Sequence, residues 1–439
     1  MKLKGRSERG QVLVLLTFGM IALLGIAALA IDGGMLYADR RIAQNAADAS
    51  VMAGGGAASR IIIDAGEALI NENWKCETVN AVLSDAAIQA AMDNAALNNI
   101  TVDGEHTYIT TDCSQVVGKK HFDVHMVLTY ESRTALAHMV FDDALVNRVE
   151  ATTRIFPRVA IGEGNVIISL ADGPCTGNTK GSEFSGNHDI NITVGGGIFS
   201  HSCLIKSGTS GKINLIGGGK AYFMDEYKYA GNPDPFGDNP PIKVDEGIEF
   251  SISPPECGNS AEKNHTGGGT ITPGNYKNIR VNNNDELFLD PGLYCLSGDF
   301  SVLGQAKVIG HNVTIYLSSN GSTFTTSGGG EVKLTAPPSD CDVKPIEGVC
   351  PPALPGILIY MSGVSNKGVS LLGNSDSIYE GTIYAPYSPV DVGGTGNVVN
   401  KFSVQLIGNV VNIHGNASLD LAYRASKFFH TPVLLQLDK

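Results

Sequence analysis

The chain opens with an uninterrupted apolar segment that predicts a membrane-spanning helix. Val12–Ile31 carries no charged residue. Crossing ~30 Å of hydrocarbon at ~1.5 Å per residue takes about 20 residues, which this segment supplies. The next stretch, Met35–Ala53, keeps a helical pattern as far as Gly54-Gly55-Gly56. The pattern therefore predicts one span followed by a helical extension that ends at the three glycines.

The charges that flank the span predict its orientation. The residues before it contain one acidic side chain, Glu8, and four basic ones: Lys2, Lys4, Arg6 and Arg9. An excess of basic residues favours a cytoplasmic N-terminus. A cleaved signal peptide is the alternative, with Ala28-Leu29-Ala30 as a cleavage site, although its apolar core would usually be about 7–15 residues. We expect a retained single-pass anchor in the inner (cytoplasmic) membrane, with the bulk of the chain periplasmic or extracellular.

The helical extension carries a stripe of small or apolar residues, formed by Ile42, Ala46, Ala49 and Ala53. Spacings of three and four residues place them on one face of a helix. Small side chains allow a second helix to approach closely. The stripe indicates packing either against the protein's own next domain or against copies of itself or a partner.

Residues 58–158 show the mixed pattern of a small α+β domain. A helix is predicted over Leu83–Asn98, and a strand over Phe122–Tyr130 because its apolar residues alternate. A short helix is predicted over Thr134–Phe141 and a further strand over Arg148–Phe156. Together with residues 1–57, this segment accounts for the N-terminal part of the chain.

In residues 159–439 helical periodicity is replaced by short apolar runs between Gly, Asn and Ser turns. These runs are Asn191–Val194, Lys212–Ile216, Val313–Leu317, Val369–Leu372 and Phe402–Ile407. Spacings of 21 residues separate Gly196 from Gly217, Gly373 from Gly394, and Gly394 from Gly415. A period near 20 residues with short strands predicts a parallel β-helix. The alternative is an antiparallel β-sandwich.

Two inserts interrupt this pattern, at Asn232–Pro241 and Cys341–Pro355. The whole chain then reads as a transmembrane helix, a small α+β domain and a mainly-β domain. The 53 glycines and the 17% share of charged residues agree with many turns and short strands.

Net charge and cysteine content narrow the function further. A net charge of −13 argues against nucleic-acid binding, which requires clustered Lys and Arg. An even number of cysteines beyond the membrane segment indicates disulfides in an exported protein. The simplest pairing joins neighbours along the chain: Cys76 with Cys113, Cys175 with Cys203, Cys257 with Cys295, and Cys341 with Cys350. Their spacing does not suit a zinc site, so neither a metal nor another cofactor is expected.

Two groups of polar residues are candidates for chemistry. Asn284-Asp285-Glu286 with Asp290 offers carboxylates for glycan cleavage or Ca²⁺ binding, or else forms a solvated turn. His121, Asp123 and His125 alternate along a predicted strand, so they share a face that could bind a metal or simply be polar. Because no convincing catalytic fingerprint accompanies them, we expect a protein that is not an enzyme.

The N-terminal segment resembles the TadE/TadG-like tight-adherence (Flp-type) pilus assembly proteins. The resemblance lies in an Arg-Gly pair before the span, Asp-Gly after it, an arginine pair, and Asn-Ala-Ala-Asp. The corresponding positions are Gly10, Asp32, Gly33, Arg40, Arg41, Asn45, Ala46, Ala47 and Asp48. Pilin-like members carry Glu at the fifth position after a cleavage glycine, where this chain has Leu15. The comparison implies a retained anchor rather than a processed pilin.

The resemblance implies a membrane-anchored envelope protein that supports assembly, anchoring or decoration of a bacterial surface pilus as a structural or adhesive module. Its expected partners are the lipid bilayer and pilus-assembly proteins or copies of itself, with a surface glycan as a further possibility and no nucleic acid. The alternatives are a β-helix enzyme that acts on surface or cell-wall polysaccharide and an adhesin that binds an external surface.

Overall fold

The computed structural model describes most of the chain. The described residues are 9–116, 119–132, 134, 136, 145–176, 181–187, 189–342, 344–372, 376–394, 400–415 and 419–438. The chain divides into two compact units, one comprising Met1–Pro157 with Val433–Lys439 and the other comprising Arg158–Pro432. This division differs from the three predicted segments, because the helical extension and the α+β region fold together.

Unit 1 begins with α1, a single helix of 57 residues over Arg9–Ala65. The prediction that this helix ends at Gly54-Gly55-Gly56 is wrong, because α1 continues through all three glycines. At ~1.5 Å per residue its length is ~85 Å. Two short 3₁₀ helices, Gly66–Leu69 and Asn71–Asn73, lead to α2, which covers Cys76–Leu97 and contains nearly all of the predicted second helix.

The sheet of unit 1 is antiparallel and draws its last strand from the far end of the sequence. Its strands are β1 (Tyr108–Ser114), β2 (His121–Ser132), β3 (Leu145–Phe156) and β30 (Leu434–Asp438), in that order. β2 and β3 confirm the two strands predicted here. The predicted short helix over Thr134–Phe141 lies outside the described residues, apart from residues 134 and 136.

Unit 2 consists mainly of short β-strands. The strands along the first half are β4 (Asn165–Ser169), β5 (Ser182–Phe184), β6 (Ile190–Thr193), β7 (Gly197–Ser200), β8 (Leu204–Lys206), β9 (Ile213–Leu215), β10 (Ala221–Phe223), β11 (Tyr227–Tyr229), β12 (Ile242–Lys243), β13 (Lys263–Thr266), β14 (Gly269–Ile271), β15 (Gly274–Val281) and β16 (Glu286–Leu289). Those along the second half are β17 (Gly292–Leu296), β18 (Phe300–Gly304), β19 (Lys307–Gly310), β20 (Val313–Leu317), β21 (Phe324–Gly328), β22 (Glu331–Thr335), β23 (Ile357–Met361), β24 (Val369–Leu372), β25 (Ile378–Ala385), β26 (Val390–Gly394), β27 (Asn400–Gly408), β28 (Val411–Gly415) and β29 (Leu419–Ala422). A 3₁₀ helix, Ala425–Lys427, follows β29.

The strands of unit 2 pair in parallel with strands two or three places further along the chain. β16 pairs with β19 and β19 with β22, while β17 pairs with β20 and β20 with β23. Identical or similar residues meet in register, as Phe300 does with Phe324. Of the predicted glycine spacings, Gly394 is the register partner of Gly415. Gly217 lies against Gly195 rather than Gly196, and Gly373 lies outside the described residues. Antiparallel pairing of a sandwich type is not observed among the described strands of this unit.

The pairing order in unit 2 departs from the chain order. β4 pairs with β27 on one side and with β7 on the other, so the first strands continue the series beyond the last. From β12 the chain therefore returns to the opposite end of the series, where β13 begins, through residues 244–262. We call this connection the strap.

The insert Asn232–Pro241 covers the core at the end of the series formed by β9, β11 and β12. Phe236 is buried in the main core of unit 2, and its ring lies edge-on to that of Tyr227. The Asp234 carboxylate accepts hydrogen bonds from the Tyr227 hydroxyl (2.7 Å) and from the Phe236 backbone N–H (2.9 Å). The insert thus shields apolar side chains that a further strand layer would otherwise cover.

Four disulfides join the cysteines in the neighbour-to-neighbour pairing that the sequence predicts. The pairs are Cys76–Cys113, Cys175–Cys203, Cys257–Cys295 and Cys341–Cys350. The first links α2 to β1, and the third links the strap to β17. The predicted disulfide-closed loop is formed by the fourth pair, which lies in the insert between β22 and β23.

Candidate functional site

The apolar segment of α1 is exposed, apart from the half-buried Ala28. Val12 is 61% exposed and Leu29 is 76% exposed, and the most apolar window of the helix has no buried share. Soluble monomers rarely leave an apolar surface of this extent in water. The helix is long and apolar enough to cross a membrane, as the sequence predicts.

Packing of α1 against the rest of unit 1 begins at Asp32, the first residue beyond the apolar segment. Asp32 is only 8% exposed, and both of its carboxylate oxygens lie 3.1 Å from the backbone nitrogen of Leu136, whose N–H they accept. An ionised carboxylate with little solvent exposure needs such a partner. The signature aspartate therefore ties the folded unit to the end of the apolar segment.

The face of α1 that packs in unit 1 is adjacent to the predicted stripe. The buried residues are Ala43, Ala46, Ala47, Ser50, Val51, Ala58 and Ile62. Of the predicted stripe, Ala46 is buried and Ala53 half-buried, whereas Ala49 is exposed and Ile42 is 67% exposed. The helix thus packs against the rest of its own unit. The buried face is displaced from the predicted stripe by one residue along the sequence, and part of the stripe is therefore exposed to solvent.

Gly54 and Gly55 lie where α1 approaches its neighbours most closely. A Cβ atom on Gly54 would lie 2.7 Å from the carbonyl oxygen of Ala87 in α2, and one on Gly55 would lie 2.5 Å from Thr153 Cγ2 in β3. Gly56 has nothing within 4 Å of the corresponding position. Gly54 and Gly55 therefore allow α1 to approach α2 and the sheet closely. Close packing, and not the end of a helix, accounts for glycine at these two positions.

The remaining signature residues divide between the two sides of α1. Arg40, Arg41 and Asn45 are exposed. The side chain of Gln44 donates to Asp48 Oδ1 (2.8 Å) and to the carbonyl oxygen of Glu150 in β3 (2.9 Å). Asp48 therefore orients a glutamine that links α1 to the sheet.

His121, Asp123 and His125 lie on one face of β2, where Asp123 contacts both Arg154 and His121 while His125 has a separate partner. Asp123 accepts two hydrogen bonds from Arg154, with distances of 2.9 and 2.8 Å, and lies 3.6 Å from His121 Nε2. His125 Nδ1 lies 2.8 Å from the hydroxyl of Thr152. Within the described residues, no group of three or more His, Cys, Asp or Glu side chains is placed to bind a metal ion.

Asp285 and Glu286 lie in and just after the turn that joins β15 to β16. Asn283 adopts a positive φ of 60° in this turn, and the Asp285 N–H donates to the carbonyl oxygen of Asn282. Asn284 and Glu286 are exposed and Asp290 is half-buried. The arrangement is that of a solvated turn.

A column of rings lies beneath the strap, and we did not predict it from the sequence. Tyr316, Tyr360 and Tyr384 are register partners on adjacent strands, with ring centroids 5.4 and 5.2 Å apart. The Tyr360 hydroxyl donates to the carbonyl oxygen of Ile252 in the strap (2.6 Å). Recurrent tyrosines after short apolar runs were visible in the sequence, but only the register aligns them.

An open groove of about 620 Å³ lies on another side of unit 2. Its lining is polar and combines both charges with hydroxyl groups: Asp299, Gly321, Thr323, Thr325, Ser365, Asn366, Lys367, Ser370 and Asp391. Thr325, Ser370 and Asp391 come from strands paired in one series. The groove offers hydrogen-bonding groups but lacks aromatic side chains.

The segments at the two ends of unit 2 meet around two buried basic residues. Arg158 is 3% exposed and donates to the carbonyl oxygen of Ser339 (2.6 Å) and to Asp342 Oδ1 (3.0 Å). His430 is also 3% exposed; its Nδ1 lies 3.0 Å from the carbonyl oxygen of Phe428, and its Nε2 has no partner within the described chain. Burial, assisted by the positive charge of Arg158, lowers the pKa of His430 to about 4.

These observations define a chain with one N-terminal helix suited to span a membrane and continuous with the core of a folded unit. Residues 10–59, which comprise the span and most of the packed part of α1, match the family model of putative Flp pilus-assembly TadE/G-like proteins. The resemblance stated from the N-terminal signature is thereby confirmed over this segment. No curated protein and no solved structure matches the chain.

Proposed function

We propose that this protein is a membrane-anchored envelope protein that supports the assembly, anchoring or decoration of a surface pilus. The carrying observation is that the exposed apolar segment and the packed helix beyond it form one element, which is also the segment that matches the pilus-assembly family. A single rigid helix would hold unit 1 at the membrane that contains the span. Its partners would be the bilayer and pilus-assembly proteins or further copies of the chain.

We also propose that unit 2 is a parallel β-helix that serves as a stiff structural or adhesive module. Support comes from the parallel pairing of strands roughly one 21- to 24-residue turn apart, as in Leu287 with Val308 and Phe300 with Phe324. A solenoid buries its apolar face only by stacking one turn on the next. The capping insert and the disulfides would then stabilise the stack in an oxidising compartment.

The proposal predicts that surface piliation depends on the span rather than on the folded units alone. We expect a strain that lacks the protein to lose surface pili, and the wild-type chain to restore them. A chain whose residues 1–31 are replaced by a cleavable signal peptide should be exported without restoring piliation. A chain that carries an unrelated span of equal length is the control and should restore it. Full rescue by the exported, unanchored chain would contradict the anchor role.

The strand pattern of unit 2 raised the alternative of an enzyme that acts on polysaccharide. We propose instead that the protein is not an enzyme. The turn geometry at Asp285 and Glu286 favours a structural role for these residues. The double variant Asp285→Asn/Glu286→Gln should therefore retain wild-type piliation, and the purified wild-type chain should not shorten surface or cell-wall polysaccharides. Glycan cleavage by the wild-type chain that the double variant loses would support the enzyme instead.

A further inference from the structure

Unit 1 has no spacer between the proposed transmembrane segment and its folded core. Asp32, which directly follows the apolar segment, is already buried and bonded to Leu136. If Val12–Ile31 occupies the hydrocarbon, the backbone of Leu136 must lie at the level of the lipid headgroups. This argument rests on the proposed anchor and asks what the protein does at the membrane surface.

Contacts along α1 show which end of the sheet approaches the membrane. Far from the span, Gln44 bonds to Glu150 in β3. Nearer to it, Tyr130 in β2 lies within electrostatic range of Asp39 and Arg40, although burial is the larger influence and raises its pKa.

Toward the span, the sheet residues next to α1 therefore lie progressively closer to the end of the sheet where β2 ends and β3 begins. We call this the β2–β3 end. Val146 lies at this end, opposite Glu131 in β2, and is 63% exposed.

The exposed side of α1 presents an aromatic ring and two guanidinium groups just beyond the span. Tyr37 is 71% exposed and lies six residues after Ile31, a rise of ~9 Å. Arg40 and Arg41 follow within one turn and are also exposed. Because side chains on a helix tilt toward its N-terminus, all three lean back toward the membrane.

We propose that Tyr37, Arg40, Arg41 and Val146 form a membrane-proximal surface that contacts the headgroup layer and favours anionic phospholipids. Tyr rings are enriched at the membrane–water interface, and each Arg close to an anionic surface contributes about 1 kcal/mol of attraction. The surface is continuous with the proposed transmembrane segment, which identifies the bilayer as its partner. The span tethers unit 1 to the membrane, and this surface would in addition hold unit 1 in contact with the headgroup layer.

Tryptophan quenching by brominated phospholipids in reconstituted vesicles tests this surface on the full chain. The native Trp74 is buried and donates to the carbonyl oxygen of Ser114, which pairs with His121 at the end of β2 away from the membrane-proximal end. Its emission therefore gives a common background and a check of folding. Two test variants, Tyr37→Trp and Val146→Trp, report on the membrane-proximal surface. Two references bracket them: Phe18→Trp in the span, and Met52→Trp, which is 40% exposed and ~32 Å beyond Ile31 on the same helix.

Both test variants should lose emission to a degree between the strong loss of Phe18→Trp and the absence of loss for Met52→Trp. Their loss should be greater with anionic than with neutral phospholipids, and the added pair Arg40→Gln/Arg41→Gln should abolish that difference. If Phe18→Trp is quenched while both test variants behave like Met52→Trp, the membrane-proximal surface is refuted and the anchor stands. If Phe18→Trp escapes quenching, the anchor itself fails.

Discussion

Replacing Gly54 or Gly55 with valine should destabilise unit 1 by about 3 kcal/mol, since overpacking of a close contact costs about 1–3 kcal/mol and occasionally more. The Gly54 position faces a backbone oxygen of α2, and the Gly55 position faces the buried side chain of Thr153. Neither neighbour can move without displacing α2 or the sheet. The fluorescence of Trp74, a buried residue of this unit, reports the loss as a lower denaturant midpoint.

Gly56→Val provides the matched control for these variants. The Cβ atom that it adds meets nothing within 4 Å, so mainly the intrinsic helix propensity changes, and valine and glycine differ in that by less than about 0.5 kcal/mol. We therefore expect an unchanged or slightly raised midpoint for this variant. Equal behaviour at all three positions would show that close packing of α1 is not what the glycines provide.

Acidification should destabilise unit 2 through His430. The unfolded residue has a pKa near 6.5, whereas in the folded unit the pKa is lowered to about 4 by burial and by Arg158, with the hydrogen bond to Phe428 and the charge of Asp340 acting in the opposite direction. The unfolded chain therefore binds the proton more readily. The stabilising effect of the neutral ring is complete above about pH 6.5 and is lost as the pH falls toward 4, to a total of about 3 kcal/mol.

The contribution of His430 is isolated by comparison with His430→Asn, whose amide can replace the Nδ1 donor. Many carboxyl groups titrate over the same range, so the relevant quantity is the difference between wild type and variant in urea midpoint at pH 7 and pH 4. Near-ultraviolet circular dichroism of the buried tyrosines follows unit 2. The wild type should lose more stability than the variant, whereas His106→Asn, at a 67% exposed histidine of unit 1, should match the wild type. Parallel pH profiles for wild type and His430→Asn would count against the assignment.

The elements that the sequence predicted well have strong local patterns. The charge-free run Val12–Ile31 is recognisable by composition alone, and the strand of His121–Ser132 by alternation. The neighbour pairing of cysteines was also correct. The family signature identified the same segment that the family model matches.

The failures concern residues whose role depends on what lies opposite them. Local sequence rules assign Gly54 and Gly55 to the end of a helix, but both residues lie in close contacts of α1 with α2 and β3. The buried face of α1 differs from the predicted stripe by one residue, because alanines and small residues occur on several faces. The ring column under the strap depends on a register that no local pattern specifies.

The sequence by itself determined that the chain has one apolar span, a mixed helical and strand region, and a glycine-rich series of short strands, because these follow from hydrophobic periodicity within short windows. The tertiary structure decided that the strand Leu434–Asp438 completes the first sheet, that β4 pairs with β27, and that packing begins at Asp32. Such pairings join residues far apart in the chain. Their free energy comes from burial and hydrogen bonds that exist only once distant segments meet, so no local window contains them.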